Sequence, residues 1–190
     1  MKKNLKFIWP IFTIALAVVI FFMMKSMISP KTPKSLKDSQ TIGDNIDGLT
    51  VEDEKVDSDI LKDYKLNFVN IWHTSCMPCV DEIPELQELS KEYKDKGVQF
   101  IGVLKFYQSE SDILEAKDML NTLGAKYTNI IPSEKMMTEF TDKFSAMPTT
   151  IFLDKDGKMV GNAVIGAIGK DNFKEEINKR LEMIDSNEKY

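Results

Sequence analysis

Two cysteines separated by two residues, Cys76 and Cys79, lie between an apolar run and an amphipathic segment. The run at residues 67–72 is compact and largely apolar, which predicts a buried strand. From Pro78 onward, apolar residues recur at steps of three and four, which predicts a helix that ends near Gly97. We therefore expect the cysteine pair where a strand ends and a helix begins, a context typical of reversible thiol chemistry.

This position has a chemical consequence for the two thiols. The unpaired N–H groups at a helix N-terminus stabilise a thiolate, so Cys76 can ionise near neutral pH while the first turn covers Cys79. Two cysteines at this spacing can close a small disulfide ring without moving the rest of the fold. The pair is therefore suited to disulfide exchange.

Two other uses of a cysteine pair are disfavoured. A zinc site takes four ligands, whereas the chain holds two cysteines and one histidine, His73, which gives at most three. A purely structural disulfide would close too short a loop to stabilise the fold much. Redox exchange is the favoured interpretation.

The remaining chain alternates strands and helices. Residues 46–56 suit a small hairpin, and further strands are predicted at residues 98–104, 127–131, 149–153 and 159–165, with helices around residues 113–123, after Ser133 and from about Lys170. The sequence from Asp154 to Gly157 suits a hairpin turn between the last two strands. The fold class is therefore α/β, with a mostly parallel sheet covered on both faces and antiparallel strands at one side.

The N-terminal segment predicts a membrane anchor. Residues 7–24 carry no charge, which is near the minimum length for a transmembrane helix, and Lys2, Lys3 and Lys6 favour a cytoplasmic N-terminus. A cleaved signal peptide usually has a shorter apolar region followed by small residues, and neither feature is present. We expect a cytoplasmic tip and anchor at residues 1–25, a flexible linker at 26–45 and one domain at 46–190.

Charge excludes one class of function. The total of −5 divides into about +6 for residues 1–42 and about −11 for the rest, and the only arginine is Arg180. An acidic domain lacks the basic surface that phosphate backbones require, so a nucleic-acid partner is not expected.

Several motifs in the same order resemble the thioredoxin superfamily, and specifically the membrane-anchored TlpA/ResA-like thiol-disulfide oxidoreductases. The motifs are Val69-Asn70-Ile71-Trp72, Cys76-Met77-Pro78-Cys79, Glu82 with Pro84, Met147-Pro148-Thr149-Thr150 and Asp154-Lys155-Asp156-Gly157. The resemblance covers roughly residues 46–185. It implies a thioredoxin fold with an N-terminal hairpin and an inserted central helix and strand. It also implies no cofactor beyond the redox-active cysteine pair.

The resemblance also implies roles for residues around the cysteines. Cys76 is expected to be the exposed nucleophile and Cys79 the resolving thiol, with Pro148 in a cis-proline loop that faces them. Such a loop leaves the backbone of Met147 free to pair with an extended client segment. Trp72, Met77 and Pro78 are the other residues expected to contact the client.

Glu82 is the third expected catalytic residue. In resembling proteins this glutamate tunes the cysteine pKa values and passes protons. Ordinary thioredoxins carry a buried aspartate where this chain has Asn70, and an amide cannot titrate. The alternative role for Glu82 is a solvated acid in the first turn, favoured by the helix dipole.

The chain departs from the family at His73 and Ser75, where Ala or Gly and an aromatic residue are common. His73 is either a polar loop residue or a group whose protonated form would favour the thiolate. The departures concern the surface beside Cys76.

The resemblance suggests a reductase of disulfides in exported proteins, placed at the cell membrane with its domain on the extracytoplasmic side. Its electron donor would be a membrane thiol carrier of the CcdA/DsbD type, and its clients would be apocytochromes c, as in cytochrome c maturation, or methionine sulfoxide reductases. A disulfide-introducing oxidase is the alternative within redox chemistry, because the direction of exchange depends on potential and partners. A thioredoxin-fold metallochaperone would need a longer cysteine spacing and a distant histidine.

Overall fold

The computed structural model describes residues 41–186, which contain seven strands and four α-helices. The strands are β1 (Asp47–Thr50), β2 (Lys55–Asp57), β3 (Leu66–Trp72), β4 (Val98–Leu104), β5 (Thr128–Pro132), β6 (Thr149–Leu153) and β7 (Val164–Ile165). The helices are α1 (Met77–Tyr93), α2 (Glu110–Thr122), α3 (Glu134–Glu139) and α4 (Lys170–Asp185). The strands form one sheet in the order β2-β1-β5-β4-β3-β6-β7.

The sheet is mixed, as the sequence predicts, but the expectation of a mostly parallel sheet with antiparallel strands at one side is wrong. Within the described residues two of the six strand pairings are parallel, and antiparallel strands flank them at both sides. The central strands β3, β4 and β5 run parallel, whereas β6 pairs with β3 in the antiparallel direction and β7 pairs with β6 in the same way. At the opposite side, the β1–β2 hairpin pairs antiparallel with β5. The predicted hairpin is therefore the edge of the same sheet.

Strand β3 is buried along its whole length and contributes side chains to the core on both faces of the sheet. Val69 and Ile71 point to the face that packs with α3, while Phe68 points to the face that packs with α1 and α4. Since side chains alternate along a strand, Asn70 lies on the α1 face together with Phe68. This places a polar side chain beneath the helix that begins at the cysteines.

The last strand is shorter than predicted. The sequence predicts a strand at residues 159–165, whereas regular pairing is confined to Val164–Ile165, and Met159 makes only an isolated bridge to Leu153. Gly161, between these segments, has a φ of 72°. A positive φ is incompatible with an extended strand, so the backbone leaves the sheet there and returns at β7.

The folded part includes the end of the predicted linker. Ile42 is fully buried, and the N–H groups of Ile42 and Gly43 both donate to the carbonyl oxygen of Gly157 at 3.0 Å. The predicted anchor at residues 7–24 lies outside the described residues. Within residues 41–186, no helix has the length and apolar character needed to cross a bilayer.

Candidate active site

A disulfide joins Cys76 and Cys79 at the N-terminus of α1. Cys76 is the N-cap residue, with an extended backbone, and its carbonyl oxygen accepts from the N–H groups of Cys79 at 2.9 Å and Val80 at 3.0 Å. Cys76 is half-buried, whereas Cys79 is 0% exposed. Only Cys76 is therefore open to a thiol or disulfide from outside.

Met147 and Pro148 form the loop that leads into β6. Their peptide bond is cis, as the resemblance implies, and Met147 packs against the same apolar cluster as Cys76. Among the residues the structure describes, neither the N–H nor the carbonyl oxygen of Met147 makes a hydrogen bond. The backbone of Met147 is thus available to an extended segment of another protein.

Glu82 is buried on the inner side of α1, with 3% of its surface exposed. Its Oε1 atom accepts a hydrogen bond of 2.8 Å from Nδ2 of Asn70, which also donates to Oγ1 of Thr150 at 3.1 Å. Burial raises the pKa of Glu82 to about 7, and the hydrogen bond from Asn70 opposes this shift. A solvated surface role for Glu82 is therefore wrong.

The second oxygen of Glu82 has no hydrogen-bond partner in the part of the chain that the structure describes. Within residues 41–186, neither Oε2 of Glu82 nor Oδ1 of Asn70 makes a hydrogen bond. The pKa of Tyr127 is raised by burial and, to a smaller extent, by the negative charge of Glu82. These observations describe a carboxyl group that can hold a proton near neutral pH and keeps one oxygen free to exchange it.

Trp72 lies under the site and not on its surface. It is 1% exposed, and its Nε1 donates to Oδ1 of Asn129 at 3.1 Å. A Cβ atom at Gly102 would lie 1.9 Å from that Oδ1 atom, so the contact depends on glycine there. The structure therefore places Trp72 as a supporting residue, in contrast to the client contact expected for it. Met77 and Pro78 are exposed and remain available to a client.

His73 joins the cysteine loop to the segment after β4. Its Nε2 lies 3.2 Å from the carbonyl oxygen of Phe106, and its Nδ1 accepts from the N–H of Ser75 at 3.1 Å. A carbonyl oxygen can only accept, so Nε2 is the donor in the contact with Phe106. These contacts support the first of the two roles expected for His73, that of a polar loop residue.

Lys105 is a site neighbour that the sequence did not reveal. It is 4% exposed, and its Nζ donates to the carbonyl oxygens of Thr141, at 3.0 Å, and Phe144. Burial lowers the pKa of Lys105, and the nearby Asp142 opposes this shift. A charged residue after an apolar strand usually indicates a solvated strand end, so the pattern held no signal of burial.

Across residues 41–186, no three side chains of His, Cys, Asp or Glu are grouped so that they could hold a metal ion. The cysteines are joined to each other.

Comparisons with known proteins agree with this geometry. The Redoxin family model matches residues 37–177. Thiol-disulfide oxidoreductase ResA of Bacillus anthracis is 32% identical over 145 residues, which cover 75% of this chain and 80% of that protein. ResA of Bacillus thuringiensis subsp. konkukian is 30% identical over 186 residues, covering 97% and 99%.

A solved structure supports the fold. The thioredoxin family thiol:disulfide interchange protein of Chlorobium tepidum TLS matches with a TM-score of 0.64 and 24% identity, over 76% of this chain and 99% of that one. The match confirms the thioredoxin fold with its central mixed sheet. With a reactive cysteine pair, a cis-proline loop and these relatives, the chain belongs to the Redoxin family of the thioredoxin superfamily and is a ResA-like thiol-disulfide oxidoreductase.

Proposed function

We propose that residues 7–24 hold the chain in the cell membrane, that its domain lies outside, and that it reduces disulfides in exported proteins. A membrane thiol carrier of the CcdA/DsbD type would supply the electrons. Apocytochromes c or methionine sulfoxide reductases would be the clients. The observation that carries this proposal is the position of Met147 beside the disulfide. Cys76, the reachable half of the disulfide, shares an apolar cluster with Met147, and within residues 41–186 the backbone of Met147 makes no hydrogen bond.

The reaction is a pair of thiol-disulfide exchanges. In the reduced chain, the Cys76 thiolate attacks one sulfur of a client disulfide, forming a mixed disulfide and releasing a client thiolate, which takes up a proton. The Cys79 thiolate then attacks the sulfur of Cys76 and releases the second client thiolate, which is also protonated. The client gains two electrons and two protons, and the Cys76–Cys79 disulfide forms.

In the second exchange, Glu82 takes up the proton of Cys79. Cys79 is fully buried and must lose its proton before it can attack, and Glu82 lies one turn further along the same helix. With a pKa of about 7, its carboxylate can take that proton at neutral pH and return it when the donor reduces the disulfide again. Glu82 is thus a proton carrier for Cys79 in this proposal.

The direction of exchange is tested by the redox potential and by capture of clients. We expect a potential nearer to the roughly −270 mV of thioredoxin than to the roughly −120 mV of the oxidant DsbA. A Cys79→Ala variant of the full chain should accumulate mixed disulfides with exported proteins, because no second thiol resolves them. Cys76→Ala is the matched control and should capture none.

An oxidase would give the opposite results. Its potential would lie near that of DsbA, and loss of the protein from cells would leave exported proteins with free thiols. That pair of results would contradict the proposed reductase.

A further inference from the structure

Phe106, just after β4, combines two features that folding alone does not favour. Its φ is 60°, in the left-handed region, and 53% of its surface is exposed. That backbone crowds the Cβ atom against the following carbonyl oxygen, which makes it rare for a bulky side chain. Backbone strain of this kind persists where neighbouring groups enforce it, and it is concentrated at functional sites.

Two neighbours hold Phe106 in this conformation. The Nε2 of His73 donates to the Phe106 carbonyl oxygen at 3.2 Å, and the two rings meet edge to face with centroids 6.0 Å apart. The Nζ of the buried Lys105 lies 4.5 Å from the centroid of the Phe106 ring. The N–H of Lys105 donates to the carbonyl oxygen of Trp72 at 2.9 Å, which fixes the segment to the end of β3.

Phe106 is held against the loop that carries the nucleophile. The carbonyl oxygen of His73 accepts from the N–H of Cys76 at 3.1 Å, so a single residue contacts both Phe106 and Cys76. Met77, the residue after Cys76, is 66% exposed. Two exposed apolar side chains are therefore tied to the reachable cysteine, one through the chain and one through His73.

We propose that Phe106 is a specificity-determining residue whose ring contacts an apolar side chain next to the attacked cysteine of a client, with His73 as its positioning residue. This inference rests on the part of the proposed function that makes the client a protein. A cationic client side chain is disfavoured because the Lys105 ammonium already lies over the ring. An acidic one is disfavoured by the net negative charge of the domain.

The test compares rates of exchange with three oxidants. These are oxidised glutathione and two synthetic peptide disulfides that differ only in having Leu or Ser beside the cysteine. We expect the reduced full chain to prefer the Leu peptide by about fivefold or more. Phe106→Gly should reduce this preference below about twofold while changing the rate with glutathione by less than about twofold. Glycine accepts a positive φ without steric cost, so this variant should fold.

Two further variants serve as controls for the effect of Phe106→Gly. Phe106→Leu retains an apolar side chain and should keep most of the preference for the Leu peptide. Leu114→Ala removes a side chain of similar exposure, 55%, from α2 and should leave all three rates unchanged.

Three outcomes would overturn the inference. The first is that the wild type shows no preference for the Leu peptide, and the second is that Phe106→Gly keeps the wild-type preference. The third is that Phe106→Gly loses the same fraction of its rate with all three oxidants, which would mean that Phe106 affects the reactivity of Cys76 and not the choice of client. Because thiol-disulfide exchange is reversible, the reduced chain can be assayed with these oxidants in vitro even if the protein acts as an oxidase in the cell. A failure of the proposed reductase would appear in the redox potential and not in these rates.

Discussion

Glu82 is a carboxyl group for which the protein interior favours the neutral form. Burial removes the water that would stabilise its charge, and a single hydrogen bond from Asn70 restores only part of that stabilisation. An acid that exchanges its proton near pH 7 is matched to the chemistry of thiols, whose ionisation also controls the reaction. This match predicts a coupling between Glu82 and the cysteines.

We predict that Glu82→Gln changes the pH dependence of thiol exchange without unfolding the protein. The wild-type thiols should titrate in two interacting steps, and the variant should show a simpler curve, because the second proton site is lost. Asp81→Asn, which removes an exposed acid one residue earlier, is the control and should behave as the wild type. If the titrations and pH–rate profiles of all three proteins superimpose, Glu82 has no role in proton transfer.

We predict that the same residue makes the oxidised protein less stable as pH rises. Between the ordinary pKa of 4.5 and the folded value of about 7, the unfolded chain loses the Glu82 proton while the folded chain keeps it. The free energy of unfolding therefore falls through this window, by on the order of 3 kcal/mol in total.

Urea unfolding of wild type and Glu82→Gln at pH 5 and pH 8 measures this effect. Because all other groups titrate in both proteins, the difference between their free energies of unfolding isolates the contribution of Glu82. The variant should gain stability relative to wild type at pH 8. An equal difference at the two pH values would contradict the prediction.

We predict that iodoacetamide modifies Cys76 before Cys79 in the reduced protein. Cys76 is half-buried at the N-cap of α1, whereas Cys79 is fully covered. Mass mapping after a brief reaction would measure the order, with the urea-unfolded protein as the control in which both react similarly. Faster labelling of Cys79 would reverse the assignment of nucleophile.

At the scale of single residues, the sequence predicted the features that local spacing encodes. It did not predict the features that depend on contacts between distant parts of the chain. The cysteines and Glu82 follow from positions along one helix, which the sequence displays directly. The burial of Lys105 and the left-handed backbone of Phe106 depend on Thr141 and His73, more than 30 residues away in each direction. No local pattern encodes such contacts.

Among the elements, Lys105 links two parts of the active site. It directly follows β4, and its ammonium donates to carbonyl oxygens of Thr141 and Phe144, in the segment that leads to the cis-proline loop. Lys105 therefore attaches this segment to the central strands.

We predict that Lys105→Met lowers the free energy of unfolding by about 1–3 kcal/mol, because two carbonyl oxygens lose their donor. Lys155→Met, which removes an exposed lysine paired with Asp156, should cost less than about 0.5 kcal/mol. Denaturant unfolding of both variants tests the difference. Equal effects would show that Lys105 does not hold the loop.

Periodicity predicted the elements better than their pairing. Helix α1 and strand β3 follow from apolar patterns, whereas the pairing of Leu49 with Ile131 joins segments that are 82 residues apart. The shortened β7 follows from a positive φ at Gly161, a conformation that glycine permits but does not impose.

Across the whole molecule, charge is divided along the chain. Residues 1–42, which include the uncharged run at residues 7–24, carry seven lysines and one acid, and the folded domain is acidic. Basic residues before an apolar segment favour a cytoplasmic N-terminus, which would place the cysteines where exported proteins acquire and lose disulfides. If residues 7–24 anchor the chain as proposed, the anchor would determine which clients the active site can meet.

We predict that the full-length chain remains with the membrane after alkaline carbonate extraction and that a membrane-impermeant maleimide labels reduced Cys76 in intact cells. Leu16→Arg should release part of the protein, because a charge at the centre of the span costs roughly 2.5–3.5 kcal/mol. Leu16→Ile is the matched control and should remain bound. A soluble mature form that begins near residue 25–35 would show instead that the segment is a cleaved signal, and labelling only after cell lysis would place the domain inside.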